Sequence, residues 1–368
     1  MSKAAELANL IGNINAGGGT SGRNLVINGA MNILQRDHLS FADSAHATHT
    51  LDMFRIGKSH DGAVTITQDS TGPDGFANSL KVDVTTADTS IGATQYAHIF
   101  HRIEAQNLQH LKFGTSDAQN FTLSFYVKSN KTGTYALTIG QNDNSYKQAS
   151  QTYTIDSANT WERKSLTFTG DTAGVINDDN GHGLEIVWWL ALGSTYTSGS
   201  SSASFATYAD ANHGAGHAVN LLDNTDNEWL ITGIQLELGQ NATPFEHEPF
   251  ERTLRKCQRY YQNIKTNDGT PAYNGHVNAS ASSEIVVPLI TEMRVLPSGI
   301  TVTNVGSWGI VTYGNLNRTC NNIAYSAAST KHVQLDCDDA TGGFTVGQGC
   351  MLYDASANGV IEFTGAEL

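Results

Sequence analysis

Apolar and polar residues alternate with a period of two along much of this chain. The runs are short and are separated by clusters of Gly, Asp, Asn, Ser and Pro. Val64-Thr65-Ile66-Thr67, Leu80-Lys81-Val82-Asp83-Val84, Phe121-Thr122-Leu123-Ser124-Phe125-Tyr126-Val127, Tyr135-Ala136-Leu137-Thr138-Ile139 and Leu166-Thr167-Phe168-Thr169 are the clearest. Such a period puts successive side chains on opposite faces of a pleated strand. Gly72-Pro73-Asp74-Gly75 and Lys131-Thr132-Gly133 provide turn chemistry between runs. No strand–helix–strand rhythm and no internal repeat is visible. The pattern predicts a mainly β protein, with an antiparallel jelly-roll-like β-sandwich over residues 23–248.

Two stretches change period. Residues 2–11 read as a helix capped by Ser2 and stopped by Gly12, with Ala4, Leu7, Leu10 and Ile11 as its apolar side. So short a helix is marginal alone and needs a partner surface. The Gly-rich run that follows, up to Gly22, reads as a flexible tether. Residues 1–22 are therefore a candidate attachment segment. Residues 249–265 read as an amphipathic linking helix, in a linking segment ending at 266. Phe250, Leu254, Cys257 and Tyr261 follow one another at spacings of 4, 3 and 4 and form one seam. That seam packs either on its own sandwich or around an axis where three copies meet. Residues 267–368 then form a smaller β-module, with Trp308 and Tyr313 as anchors. Residues 193–227, rich in Ser, His, Asn and Gly, are too long for an ordinary connector.

Composition narrows the function. Charged residues are 15% of the 368, against about 25% in typical domains, so the polar surface must be largely Ser, Thr, Asn and Gln. The net charge of −14, with no Lys/Arg cluster, speaks against nucleic acid as a partner. Cys257, Cys320, Cys337 and Cys350 lack a metal-ligand rhythm and read as buried reduced thiols. No secretion-signal pattern is present. The longest strongly apolar run, residues 186–192, is too short to span a bilayer, so no membrane insertion is expected.

Catalytic chemistry leaves little trace. There is no nucleophile elbow, no phosphate loop and no dinucleotide fingerprint, and no cofactor is expected. His98 with His101, and His213 with His217, lack a third ligand and a rigid helix, so no metal site is expected. The acidic loops at 178–181 and 223–228 read as turns before they read as calcium ligands. Sugar binding, by contrast, needs aromatic faces beside hydrogen-bonding groups. Trp189, Tyr196 and Tyr208 are the candidate contacts. Trp188 and Trp189 must face opposite ways in a strand, one into the sandwich and one out.

Several sequence words occur in a distinctive order. Arg23-Asn24-Leu25-Val26-Ile27-Asn28-Gly29-Ala30-Met31 leads to Gln35-Arg36. Leu123-Ser124-Phe125-Tyr126-Val127-Lys128-Ser129 comes in the middle. Gly233-Ile234-Gln235-Leu236-Glu237-Leu238-Gly239 precedes Ala242-Thr243-Pro244-Phe245-Glu246-His247 and Cys257-Gln258-Arg259-Tyr260-Tyr261-Gln262. Val287-Pro288, Met293-Arg294-Val295-Leu296-Pro297 and a final Ala366-Glu367-Leu368 close the series. From Arg23 to Leu368 the chain resembles a family of bacteriophage tail-fibre and receptor-binding proteins with a carbohydrate-binding-type β-sandwich. Phe54 and Tyr126 stand where that family more often has Trp, each expected to keep an aromatic plug. Residues 193–227 do not map onto it. The resemblance implies a virion protein, exposed on the particle surface: a tail-fibre or spike subunit, homotrimeric, joined to other virion proteins through residues 1–22 and holding a host-surface glycan without catalysis. Two alternatives stay open. One is a capsid-, collar- or neck-attached structural fibre without an essential receptor role. The other is a polysaccharide depolymerase.

Overall fold

A computed structural model describes residues 2–15, 22–36, 39–42, 48–143, 145–265, 270–312, 316–356 and 358–368. Most of the Gly-rich tether, residues 16–21, and Tyr313 lie outside them. The chain divides into two compact units, residues 1–253 with Leu368, and residues 254–367.

In the first unit the alternating runs become strands. In chain order these are β1 (Leu39–Ala42), β2 (Thr48–His49), β3 (Phe54–Lys58), β4 (Ala63–Asp69), β5 (Ser79–Thr86), β6 (Tyr96–Glu104), β7 (Phe121–Ser129), β8 (Gly133–Gln141), β9 (Lys147–Ile155), β10 (Glu162–Phe168), β11 (His182–Leu192), β12 (Ser202–Thr207) and β13 (Glu228–Leu238). Among the described residues, one sheet runs β1-β4-β5-β13-β7-β10 and the other β12-β9-β8-β11-β6-β3-β2. Sheet neighbours are often distant in sequence. β13 lies between β5 and β7, and β11 between β8 and β6, all antiparallel. The chain thus crosses repeatedly from sheet to sheet, as a jelly-roll-like sandwich requires.

The inward positions keep the period of two. Ile99 and Ile103, Phe121, Leu123, Phe125 and Val127, Ile186 and Trp188, and Trp229 and Ile231 are all buried in one core. Phe54 is fully buried there, as an aromatic plug should be. Tyr126 is not. It sits between inward Phe125 and Val127, so it emerges on the outer side of its sheet, half-buried beside Phe76 at 5.4 Å between ring centroids.

Both predicted helices need correction. The first, α1 (Lys3–Asn15), does not stop at Gly12. A helix-interior glycine costs only about 1 kcal/mol, too little to end a helix by itself. Ser2 does cap it, its Oγ accepting the Ala5 amide at 3.3 Å. Ala4, Leu7 and Ile11 are exposed and Leu10 is half-buried. Residues 193–227 are not a long structureless loop either. They form α2 (Ser194–Thr197), β12, α3 (Asp210–His213) and a 3-10 turn at Leu221–Asp223.

The linking helix, α4 (Phe250–Gln258), is shorter than the seam spacing predicts. The amides of Tyr260 and Tyr261 both donate to the Cys257 carbonyl, at 2.9 and 3.1 Å, and end it. The chain then extends into β14 (Gln262–Ile264), which pairs along Ile361–Phe363. Tyr261 is therefore not on the helix. Of the proposed seam, Phe250 is 57% exposed, Leu254 half-buried and Cys257 buried.

The second unit continues with β15 (Thr270–Ala279), β16 (Ser282–Pro288), β17 (Gly299–Thr303), β18 (Trp308–Thr312), β19 (Asn317–Ala328), β20 (His332–Asp339), β21 (Gly349–Asp354) and β22 (Val360–Thr364). A closed barrel runs β15-β16-β20-β19-β18-β21, beside a sheet β14-β22-β17. Closure leaves the barrel without unpaired edges. Trp308, Ile310, Val333, Leu335 and Leu352 fill its core. All four cysteines are free and buried. Burial pushes the Cys320 thiol up to about 12 and raises Cys337 and Cys350 too, which keeps them protonated and inert. No helix among the described residues is long and apolar enough to cross a membrane.

Candidate functional site

The distinctive sequence words turn out to be structural knots. Arg23 and Asn24 run beside β13, where Leu25 donates to the Leu236 carbonyl at 2.9 Å. The Asn24 side chain accepts the Leu236 amide at 3.1 Å and donates to the Ile234 carbonyl at 3.0 Å. Gly29 is held against the same strand. A Cβ there would lie 2.1 Å from the Ile234 oxygen, so only glycine fits. Thr243 and Pro244 fold back onto Glu237, and Arg23 reaches them both, Nε to the Thr243 hydroxyl at 3.1 Å and Nη2 to the Pro244 carbonyl at 2.7 Å. Glu246 accepts the amides of Gly22 and Asn24. In the second unit Arg294 donates to the carbonyls of Ala366 and Glu367, at 2.8 and 2.9 Å. These words hold backbone together.

The three predicted glycan contacts are brought together elsewhere, on the outer face of the seven-stranded sheet. Core-facing Ala97, Ile99 and Ile103 leave Tyr96, His98, Phe100 and Arg102 of β6 on that face. Opposite them on β11 stand Trp189 (across from His98), Val187 (across from Phe100) and Glu185 (across from Arg102). Trp188 goes to the core and Trp189 to the outer cluster, as strand geometry demands. Tyr96 stacks on His98 at 5.3 Å and meets Trp189 and Tyr196 edge-on at 6.3 and 6.2 Å. On the other side Trp189 meets His213 at 5.1 Å, His213 meets Tyr208 at 5.2 Å, and Tyr208 meets Tyr146 at 5.4 Å.

Trp189 is not the open platform its position on the strand suggests. It is 3% exposed, and its indole N–H donates to the Thr138 hydroxyl at 2.9 Å. The cover is the segment carrying α2 and α3. Thr138 donates to the His213 carbonyl, Ser150 to the Asn212 carbonyl at 2.9 Å, and the Gln148 amide to the Ala209 carbonyl at 2.9 Å. The aromatic edges left at the surface are Tyr208, 40% exposed, and half-buried Tyr96 and Tyr196.

No protein-family model matches the chain, and no curated protein matches it in sequence. Among solved structures it is similar to the enzymatically active domain of tailspike protein 4 of bacteriophage CBA120. That match has 14% identity and a TM-score of 0.32, and covers 59% of this chain but only 22% of the tailspike chain. A putative sugar-binding protein of Bacteroides thetaiotaomicron matches at 14% identity over 59% of this chain and 100% of its own, with a TM-score of 0.33. A family 11 carbohydrate-binding module of a Clostridium thermocellum cellulosomal cellulase matches at 11% identity over 57% and 99%, with a TM-score of 0.28. At these identities and scores the likeness decides neither ligand nor activity.

Polar groups rim the aromatic face. Arg102 Nε donates to Glu185 Oε2 at 2.8 Å, and the Tyr146 hydroxyl stands 3.5 Å from Glu185 Oε1. Tyr208 donates to Asp210 Oδ1. Burial, with the Asp210 carboxylate second, raises the Tyr208 phenol, and burial with the Glu185 charge raises Tyr146. Burial holds the His213 imidazole down at about 4, against a weaker upward pull from Asp210. The face is therefore neutral at its aromatic centre, with charge at its edge. Such an arrangement can stack a sugar ring and accept hydrogen bonds from its hydroxyls.

The other candidates disperse. His98 and His101 point to opposite faces, His101 lying in the core 5.0 Å from Phe54. His217 is buried, its Nδ1 accepting the Ala136 amide at 3.1 Å. Asp179 accepts the Gly181 amide at 2.8 Å and Asn224 the Asp226 amide at 3.0 Å, the local bonds of ordinary turns. No group of three His, Cys, Asp or Glu among the described residues is placed to hold a metal. A water-sized cleft of about 30 Å³ lies by Asn24, Asn28, Asn32, Glu246 and His247. Residues missed from sequence were Tyr96, Arg102, Tyr146 and Glu185. The alternation Tyr96-Ala97-His98-Ile99-Phe100 carried the signal, since it puts three rings on the face away from the core.

Proposed function

We propose that this protein is a non-catalytic adhesive subunit of a bacteriophage particle that holds a host-surface glycan against the outer face of the seven-stranded sheet. The observation that carries the reading is the convergence of Trp189, Tyr196 and Tyr208, three residues chosen for their sugar-stacking chemistry, on one face with Arg102, Glu185 and Asp210 at its rim. Trp189 supports the surface from beneath, and Tyr208 and Tyr196 offer the contact edges. Exposed Leu7 and Ile11 on α1 suit attachment to another virion protein. Assembly as a homotrimer repeats a weak site and raises avidity. The phage assignment draws on the sequence words above.

A glycan array with the full chain and with Tyr208→Ala tests the adhesive part. Binding that Tyr208→Ala weakens supports it; no glycan bound, or a variant that binds unchanged, refutes it. New reducing ends on incubation with host polysaccharide would make the protein an enzyme instead. Removing residues 1–21 should leave a folded protein that no longer joins particles.

One observation favours the second reading, a capsid-, collar- or neck-attached structural fibre without an essential receptor role. The segment with α2 and α3 covers Trp189 and leaves little aromatic surface open. Imaging labelled subunits on intact particles separates the two positions.

A further inference from the structure

We propose that the sugar taken by this face carries an oxyanion, and that Arg102 receives it; the proposal rests on the glycan reading above. Arg102 leaves β6 opposite Glu185 on β11. Its Nε donates to Glu185, and its guanidinium lies over the Phe100 ring, 5.1 Å from the centroid. Those two contacts fix the plane of the guanidinium and use one of its five N–H groups. Among the described residues Arg102 makes no other hydrogen bond. Its side chain is 28% exposed. A planar fork held rigid, with its outer edge open, fits a carboxylate, phosphate or sulfate.

A second arginine lies close by. Arg55 brings a second guanidinium over the same ring, 5.6 Å from the centroid. Its Nη1 donates to an oxygen of the Leu368 end carboxylate, so Arg55 is already paired and Arg102 supplies the exchangeable donors. Two guanidinium groups lie over this ring, with the carboxylates of Glu185 and, two residues along the same strand face, Glu104 beside them. His182 registers the same field. Burial first, then the charges of Arg102 and Arg55, hold its imidazole at about 3. From Glu185 the Tyr146 hydroxyl leads to the Tyr146 ring and then to Tyr208, which joins the anion spot to the stacking edge. Glu185 remains able to accept hydrogen bonds from sugar hydroxyls. The bland account is that both arginines only cover Phe100. It predicts equal affinity for charged and neutral sugars.

The test presents the full chain with neutral, carboxylated, and sulfated or phosphorylated oligosaccharides, alongside Arg102→Gln and Arg102→Lys variants of unchanged unfolding temperature. The bound glycans should be anionic and should be released by salt. Arg102→Gln should weaken binding about tenfold or more, and Arg102→Lys less, because charge survives without the fork. Carboxyl reduction of a bound carboxylated glycan needs no variant and should abolish its binding. Capture confined to sulfated or phosphorylated sugars assigns the oxyanion to those groups. Binding confined to neutral sugars, or an Arg102→Gln variant that holds anionic ones as tightly, overturns the proposal and leaves the glycan reading standing. Binding to none overturns both.

Discussion

Glu237 and Thr243 are joined twice: the carboxylate accepts the Thr243 amide at 2.8 Å and the Thr243 hydroxyl at 2.6 Å, with both residues about 1% exposed. Gln235 donates to the same carboxylate at 2.8 Å, and Arg23 Nε lies 3.7 Å from it. A buried carboxylate is tolerable only when so surrounded. Thr243→Val keeps the shape and removes one donor. It should cost about 1–3 kcal/mol, read as a lower denaturant midpoint at unchanged slope.

Gly29→Ala tests the neighbouring knot. The new methyl would sit 2.1 Å from the Ile234 oxygen, a backbone atom that cannot turn away. Unfolding temperature should drop by several degrees, since a clash of this kind costs at least about 1–3 kcal/mol. An unchanged temperature would show that the first segment does not lie against β13 in solution.

Trp189 and Tyr208 should separate stability from binding. Trp189→Ala removes a buried ring and should destabilise by about 3–5 kcal/mol. Tyr208, 40% exposed, should tolerate Ala within about 1 kcal/mol while glycan capture falls. Equal loss of stability in both would mean Tyr208 is packing and not contact.

Acid should loosen the sandwich in a definite window. His101 and His182 are held at about 3, and His60, His213 and His217 at about 4, with burial the first cause in each. The unfolded chain takes up protons near pH 6.5 that the folded chain refuses. Stability is therefore complete above about pH 6.5 and is lost as pH falls from there towards 4. Urea midpoints at pH 7, 6, 5 and 4.5 should decline steadily, and His101→Gln should flatten the decline. A wild-type midpoint that holds constant to pH 4.5 would contradict the buried neutral imidazoles.

Local pattern carried the strands and lost the surfaces. Ile99 between His98 and Phe100 is readable as inward because its neighbours in sequence define the face. What covers Trp189 is not readable, because His213 and Asn212 arrive from residues that share no periodicity with β11. The same gap misplaced Tyr126: an aromatic inside a strand looks like a plug until the phase set by Phe125 and Val127 is counted. The end of α4 was hidden for a different reason. Spacing alone continues the seam to Tyr261, while the Gln262 side chain, its Nε2 donating to the Gln258 and Thr291 carbonyls at 2.9 and 2.6 Å, holds the chain where it turns into the strand paired with Ile361–Phe363. The candidate contacts were legible as residue types, and Arg102 and Glu185 were not, since an ion pair between strands shows only once register is fixed.

The clasp at Arg23, Glu237, Thr243 and Glu246 has a mechanical consequence. It brings the chain's way into the sandwich and its way out to within hydrogen-bonding distance, although more than 200 residues separate them in sequence. Tension applied along the polypeptide at these two points meets a short bridge of amides, a guanidinium and carboxylates. The sheets hang beside that load path as a side loop, unstretched until the bridge gives way.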